Sequence, residues 1–456
     1  MSCAKYVRSI LVPGLRTDVA LEARREALEQ VARAWNTNCI RYGVAHGLAE
    51  YPQVVGRDLD VVVERQQVAH ALSTATQVLR HAHWKTALPP KLYGDRLVAF
   101  RNGEALEIHL LERISWKGVA LATSVRPGMS LGPFKIDPWA SFTKRVLLPL
   151  LAGDYGRFRR DDSKLALMDA ERAVAQSKLP TLIPDQLAAE IIRCAVRRDL
   201  AALVRLTPRV RRSLLIRAAS QAPFTTATGL LKLIQRKLQA PFSPCSPVVA
   251  VVGPDGVGKS TLLEALKNRQ QHIFTDVEVR HWRPGILPPL AALMRQRSNH
   301  PSRLGPIPPR RTPGRGYWLR LLYYASDFLL GYYLKDRIDS SRQKLLLYDR
   351  CFLDMLVDPA RYGMSSTRGM YLAWRLLPKP DLILLLHDEP KRIYQRKPEI
   401  PVSEIQRQFA EWQKLVDTAD VHEVLQVDLP SEDLVRRVVN LIADAFVSVN
   451  QVKRVF

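Results

Sequence analysis

The sequence predicts an α/β protein whose C-terminal half is a doubly wound parallel sheet, preceded by a helical connector and a second, N-terminal α/β domain. Three observations predict it. A glycine-rich loop ending in Lys-Ser-Thr lies between an apolar run and a helical pattern. Downstream, strand-like runs alternate with helical stretches, the order that yields a parallel sheet covered on both faces. Upstream, Pro241-Phe242-Ser243-Pro244-Cys245-Ser246-Pro247 has the composition of a linker and ends the preceding helical stretch.

The loop reads Gly253-Pro254-Asp255-Gly256-Val257-Gly258-Lys259-Ser260-Thr261, between Val248–Val252 and a helical pattern over Leu262–Leu266. Glycines let successive backbone N–H groups turn inward around an anion. Lys259 reaches the β- and γ-phosphates, Ser260 offers a hydroxyl to Mg²⁺, and the helix N-terminus adds its dipole. A ligand-free turn has no need of a lysine followed by two hydroxyls. The sequence therefore predicts binding of a nucleoside triphosphate, with Mg²⁺, on Gly253, Asp255, Gly256, Gly258, Lys259, Ser260 and Thr261.

Four further strands are predicted at Val277–His281, Leu345–Tyr348, Leu382–Leu386 and Val424–Val427. Their C-terminal ends, where ligands bind in such sheets, carry His281-Trp282-Arg283-Pro284-Gly285, Asp349-Arg350 and His387-Asp388, with Arg392, Arg396 and Lys397 just beyond. From Val248 to Phe446 this pattern resembles the thymidylate kinase family, and more closely the thymidylate kinase-like proteins of bacterial polysaccharide gene clusters. The resemblance implies that Asp255 binds an acceptor hydroxyl and that Arg283 binds the acceptor phosphate. It gives Asp349 a role with Mg²⁺-bound water or acceptor, Arg350 a phosphate contact, and Arg396 with Lys397 a place on a lid. Phosphoryl transfer spreads negative charge over the equatorial oxygens, so cations and alignment are what a protein supplies. Lys259, Arg283, Arg350, Arg396 and Asp349 are thus the candidate catalytic residues of an ATP-dependent kinase acting on a nucleotide or sugar-phosphate acceptor. Arg350 pairing with Asp354 one turn later is the plain structural alternative. The segment 284–316 and Tyr323-Tyr324-Ala325-Ser326-Asp327 depart from the family pattern and leave the acceptor open. Tyr317, Trp318, Tyr323, Tyr324, Tyr332 and Tyr333 read either as a stacking surface or as core.

Residues 1–138 predict an α/β domain, with a helix over Val19–Trp35 and strands near Ile40–Val44, Leu59–Val63, Leu97–Phe100 and Leu106–Leu111. Gly47 followed by Asp58-Leu59-Asp60 resembles the nucleotidyltransferase superfamily, in which two strand carboxylates and a third acid hold Mg²⁺. Asp58 and Asp60 are accordingly candidate metal ligands of an active or degenerate nucleotidyltransferase-like domain. His109 occupies the third acid's place; Glu107 is expected to face away, and Glu112 or a bulge is what would restore the third acid. Residues 139–240 read as a basic helical connector, 241–247 as a linker and 248–456 as the loop-bearing domain.

The net charge of +24 implies acidic partners, and nucleotide phosphates, nucleic acid or an anionic membrane surface would each satisfy it. Arginines cluster at 193–217 and 295–320; in the first cluster Arg193, Arg197, Arg205, Arg209 and Arg212 alternate with apolar residues as on a solvated helix face. No apolar run nears the roughly 20 residues of a membrane span, and the start lacks a secretory signal, so a cytoplasmic protein is expected. The 5 cysteines, Cys3, Cys39, Cys194, Cys245 and Cys351, show no metal-ligand spacing and are expected to be buried fillers. Two other readings remain at this point: a nucleotide-dependent switch or scaffold holding an anionic partner, and an N-terminal nucleotidyltransferase.

Overall fold

The structure, a computed structural model, describes residues 15–48, 51–53, 55–89, 95–123, 125–153, 169–197, 199–221, 223–239, 243–270, 274–288, 315–362, 364, 368–418, 421–427 and 431–451. The chain divides into two compact units, 1–237 and 238–456.

The first unit is built on a mixed seven-stranded sheet. Its strands are β1 (Tyr42–His46), β2 (Asp58–Val63), β3 (Lys85–Ala87), β4 (Asp95–Arg101), β5 (Glu104–Leu111), β8 (Met129–Leu131) and β9 (Phe134–Ile136), in the order β3-β4-β5-β2-β1-β9-β8. A separate hairpin pairs β6 (Ile114–Trp116) with β7 (Val119–Ala122). Alternation on β2 decides what each face does. Leu59, Val61 and Val63 point into a core with Leu28, Val31 and Trp35 of the helix Leu15–Thr37 and Leu79 of the helix Val68–His81. Val62 points the other way, into a second core made by Trp139, Phe142, Leu150, Ile191, Leu203 and Val210 of the helices that follow the sheet. Asp58 and Asp60 share Val62's face, so that helical layer is what can reach them.

The predicted solvated face of the first arginine cluster is present. Arg193, Arg205, Arg209 and Arg212 are exposed on the helices Asp185–Val196 and Leu200–Gln221, as is Arg197 just after the first, while Ile191 and Leu203 are buried. Most of the second cluster, 295–314, lies outside the described residues. Among the described residues no helix is long and apolar enough to cross a membrane.

The second unit carries the five predicted strands, β10 (Val248–Val252), β11 (Asp276–His281), β12 (Lys344–Asp349), β13 (Leu382–His387) and β14 (Glu423–Gln426). All pair in parallel in the order β11-β12-β10-β13-β14. After β10 the chain forms β11 and β12 on one side of it and then β13 and β14 on the other, so a crevice opens beyond its C-terminal end, between β12 and β13. Every residue of β10 is buried, which is why it reads as a continuous apolar run. One face carries the core of Tyr317, Leu321, Phe352, Met370, Trp374 and Trp412. Against the other lie the helices Lys259–Gln270 and Ser431–Gln451, which pack on each other. The described part of the proline-rich stretch is tied into this unit: Ser246 N–H donates to Ser340 Oγ at 3.2 Å and Asn450 Nδ2 donates to the Cys245 carbonyl at 2.8 Å.

Candidate functional site

The loop after β10 folds as its glycines demand. Gly253, Gly256 and Gly258 have φ of +135°, +85° and +111°, a region that residues with a Cβ rarely adopt. A Cβ on Gly256 would also lie 3.1 Å from Lys397 Cβ and 3.3 Å from Ile393 Cγ2, so the helix Pro390–Arg396 and the residue after it close directly on the loop. Lys259 is 6% exposed and its ammonium donates to the Gly253 and Pro254 carbonyls, each at 2.8 Å. Burial, and then the charge of Arg350, lower its pKa to about 8. Ser260 and Thr261 are exposed at the start of the helix Lys259–Gln270.

Around Asp255 the structure collects cations. Arg350 pairs with it, Arg361 Nη1 donates to Asp255 Oδ2 at 2.5 Å, and Lys259 Nζ stands 3.9 Å away. Burial pushes the Asp255 carboxyl up, but Arg350 and Arg361 outweigh it and hold it below the usual range. Arg350 also donates to Asp354 Oδ1 at 3.2 Å, so the plain structural alternative and the loop contact both occur. Arg350 has φ +78° and its N–H donates to the Val251 carbonyl at 3.0 Å; that left-handed turn throws the side chain across the mouth of the loop.

Asp349 ends β12. His281 Nδ1 lies 3.3 Å from its Oδ2, whereas its Oδ1 is buried with no hydrogen-bond partner. Trp282, also left-handed at φ +63°, donates its N–H to the Asp349 carbonyl at 2.8 Å and stacks on Tyr362 at 4.6 Å. The Trp282 Nε1 and the Tyr362 hydroxyl are likewise buried without a partner.

Arg283 donates to Asp327 Oδ2 at 3.0 Å and its guanidinium lies 5.8 Å from the Trp282 ring. Asp327 is fully buried and also accepts from the N–H groups of Gly285 and Leu287, so it anchors the turn after β11. Arg396 is half-exposed and pairs with the buried Asp388 at the end of β13. Of the candidate stacking aromatics, Tyr317 is core, Trp318 and Tyr333 are exposed, and Tyr324 meets Trp282 edge-on at 5.0 Å.

In the first unit the expectation that Glu107 faces away is overturned. The parallel register sets Asp58 beside Glu107 and Asp60 beside His109, and residues two apart on a strand share a face, so all four point the same way. Asp60 is 6% exposed, accepts from Lys144 Nζ at 3.1 Å and lies 3.2 Å from His109 Nδ1. Burial raises its pKa, but Lys144 and His109 together pull it far below the carboxylate range. Lys144 comes from the π-helical turn Thr143–Leu147 of the layer that covers this face. Glu107 itself pairs with Arg96 at 3.3 Å. Among the described residues no three His, Cys, Asp or Glu side chains are grouped to hold a metal. A lysine supplies the positive charge at Asp60.

Asp327 and Arg361 carry no sequence signal of a site role, because each acts through a partner far away in the chain, Arg283 and Asp255. Cys39 is exposed, against the expectation of a buried filler; Cys245 and Cys351 are buried, Cys194 is half-buried, and Cys3 lies outside the described residues.

No protein-family model matches the chain, and no curated protein does. Among solved structures, the thymidylate kinase of Ehrlichia chaffeensis aligns at 14% identity and TM-score 0.29 over 44% of this chain and 100% of its own. The thymidylate kinase of Candida albicans aligns at 15% identity and TM-score 0.32 over 44% of this chain and 92% of its own.

Proposed function

We propose that the second unit is an ATP- and Mg²⁺-dependent phosphotransferase that moves the γ-phosphoryl group to a nucleoside monophosphate or a related small phosphorylated acceptor. The observation that carries this reading is the bridge from Asp255, inside the phosphate loop, to Arg350 at the end of the neighbouring strand. It joins the loop to the neighbouring strand's end at the crevice, where an acceptor hydroxyl on Asp255 and a transferring phosphate on Arg350 would meet; a nucleotide switch with no acceptor has no need of it. The donor set suits Mg²⁺: Ser260 offers an exposed hydroxyl, and Asp349 keeps a buried carboxylate oxygen with no hydrogen-bond partner. When bound, the ion neutralises phosphate charge. Lys259 leaves the loop carbonyls to meet the β- and γ-phosphates, Arg350 and Arg396 offset charge on the transferring group, and Arg283 on its anchored turn faces the acceptor.

ADP formation by the purified chain with Mg²⁺, compared with and without a panel of nucleoside monophosphates and sugar phosphates, tests this. Acceptor-dependent ADP supports the transferase. Tight ATP binding with no acceptor-dependent turnover anywhere in the panel overturns it and favours the switch or scaffold.

The register of Glu107 beside Asp58 favours a second reading, nucleotidyl transfer by the first unit. The Lys144 and His109 contacts to Asp60 weigh against a metal there. Transfer of a nucleotide that is lost in Asp58→Ala and kept in Lys259→Ala would establish it.

A further inference from the structure

The cluster beyond the phosphate loop holds more hydrogen-bonding capacity than it uses. Asp255 is shared by Arg350 and Arg361. Next to Arg361 in sequence, Tyr362 lies flat against Trp282, their ring planes 27° apart, and Trp282 is bonded through its backbone to Asp349. Two polar atoms of this stacked pair, Trp282 Nε1 and the Tyr362 hydroxyl, are buried and unpartnered. A buried donor or acceptor left unsatisfied costs about 1–3 kcal/mol, so two on one stacked pair mark a place for bonding groups from outside the chain. Their chemistry is specific: one N–H donor and one hydroxyl, beside the Arg361 guanidinium and an aromatic stack. That combination matches an anion attached to a hydroxyl-bearing ring.

We propose that Arg361, Trp282 and Tyr362 form the acceptor pocket, with Arg361 binding the acceptor's phosphate and with Trp282 Nε1 and the Tyr362 hydroxyl bonding oxygens of the acceptor's sugar. This rests on the phosphotransferase reading for its catalytic meaning, but not for the binding itself. In the free protein Asp255 occupies the guanidinium of Arg361; an arriving phosphate dianion takes it over. Arg361 is about one-third exposed, so it can turn from the carboxylate to a ligand without unpacking. Asp255, released, is then placed to accept from a hydroxyl of the same ligand.

Calorimetric titration of the full chain with inorganic phosphate, ribose 5-phosphate and ribose, in the presence of a non-hydrolysable ATP analogue and Mg²⁺, separates the parts. Ribose 5-phosphate is expected to bind at least tenfold more tightly than inorganic phosphate, and ribose not measurably. Arg361→Ala should weaken both anions tenfold or more, with Arg361→Lys recovering part of the loss. Tyr362→Phe and Trp282→Phe should weaken ribose 5-phosphate about tenfold and leave inorganic phosphate unchanged. Equal losses for both ligands in the ring variants, or no loss in Arg361→Ala, overturns the assignment. The analogue titrated alone reports the ATP site separately: if it fails to bind, the phosphotransferase reading falls while the anion result stands or falls by itself.

Discussion

Arg283 and Asp327 lie 44 residues apart and form an ion pair of 3.0 Å in which the carboxylate is fully buried. The same carboxylate accepts from Leu287 N–H at 2.7 Å and Gly285 N–H at 3.3 Å. A single side chain of the helix Arg315–Gly331 therefore shapes the whole turn that leads out of β11. Asp327→Ala leaves a largely buried guanidinium and two N–H groups without their acceptor and should cost about 3–5 kcal/mol. Asp327→Asn keeps one acceptor oxygen and should cost less, about 1–3 kcal/mol. Urea midpoints at unchanged slope check both.

Lys259 carries a pH signature. Its pKa falls from 10.5 unfolded to about 8 folded, so the native state disfavours its proton. The penalty is fully present below pH 8 and vanishes as the unfolded chain also loses the proton near 10.5. Stability of the ligand-free protein should therefore rise between these values by on the order of 3 kcal/mol. Lys259→Met should lack that rise relative to wild type, remain folded by circular dichroism, and form no ADP. A parallel pH dependence in wild type and variant would contradict the assignment.

Gly256→Ala forces a Cβ into φ +85° and to within 3.1 Å of Lys397 Cβ. Backbone strain of about 1–3 kcal/mol is expected. The segment that follows the helix Pro390–Arg396 must also shift, so ATP affinity and turnover should both fall. Equilibrium binding of ATP alongside thermal melting distinguishes a displaced segment 390–397 from a generally weakened fold.

At Asp60 the prediction concerns the first unit. Lys144→Met leaves a buried carboxylate without its main counter-charge and should destabilise that unit by about 3–5 kcal/mol. Because the folded pKa of Asp60 is depressed, the ion pair contributes above the unfolded value of 3.8 and is lost as pH falls through the lower folded value. Wild type and Lys144→Met should consequently converge in stability in strong acid. Calorimetric melting at neutral pH and in strong acid measures the difference, and a constant gap would refute the pairing.

β10, β12 and β13 of the second unit are legible because a strand buried on both faces reads as an apolar run, as Val248–Val252 does. The phosphate loop was legible because its glycines and Lys259 are local requirements. Strands of three residues, such as Lys85–Ala87 and Phe134–Ile136, were not, since alternation needs more residues than they have. Asp327 was hidden among aromatics because its partners belong to a different element. Arg361 sits in a short 3-10 turn, and only the folded chain brings it to Asp255. Glu107 lies two residues from His109 and shares its face, which the pairing of Asp58 with Glu107 makes plain and the residues around Glu107 alone do not.

The Lys259 ammonium, bonded to the Gly253 and Pro254 carbonyls, already sits where the loop turns. On the proposed reading, ATP must draw this cation away from the loop carbonyls, so that occupancy is an exchange rather than an addition. Observed association would then climb with ATP concentration and level off at the rate at which the ammonium withdraws, which would make the loop a timing element as well as a cradle.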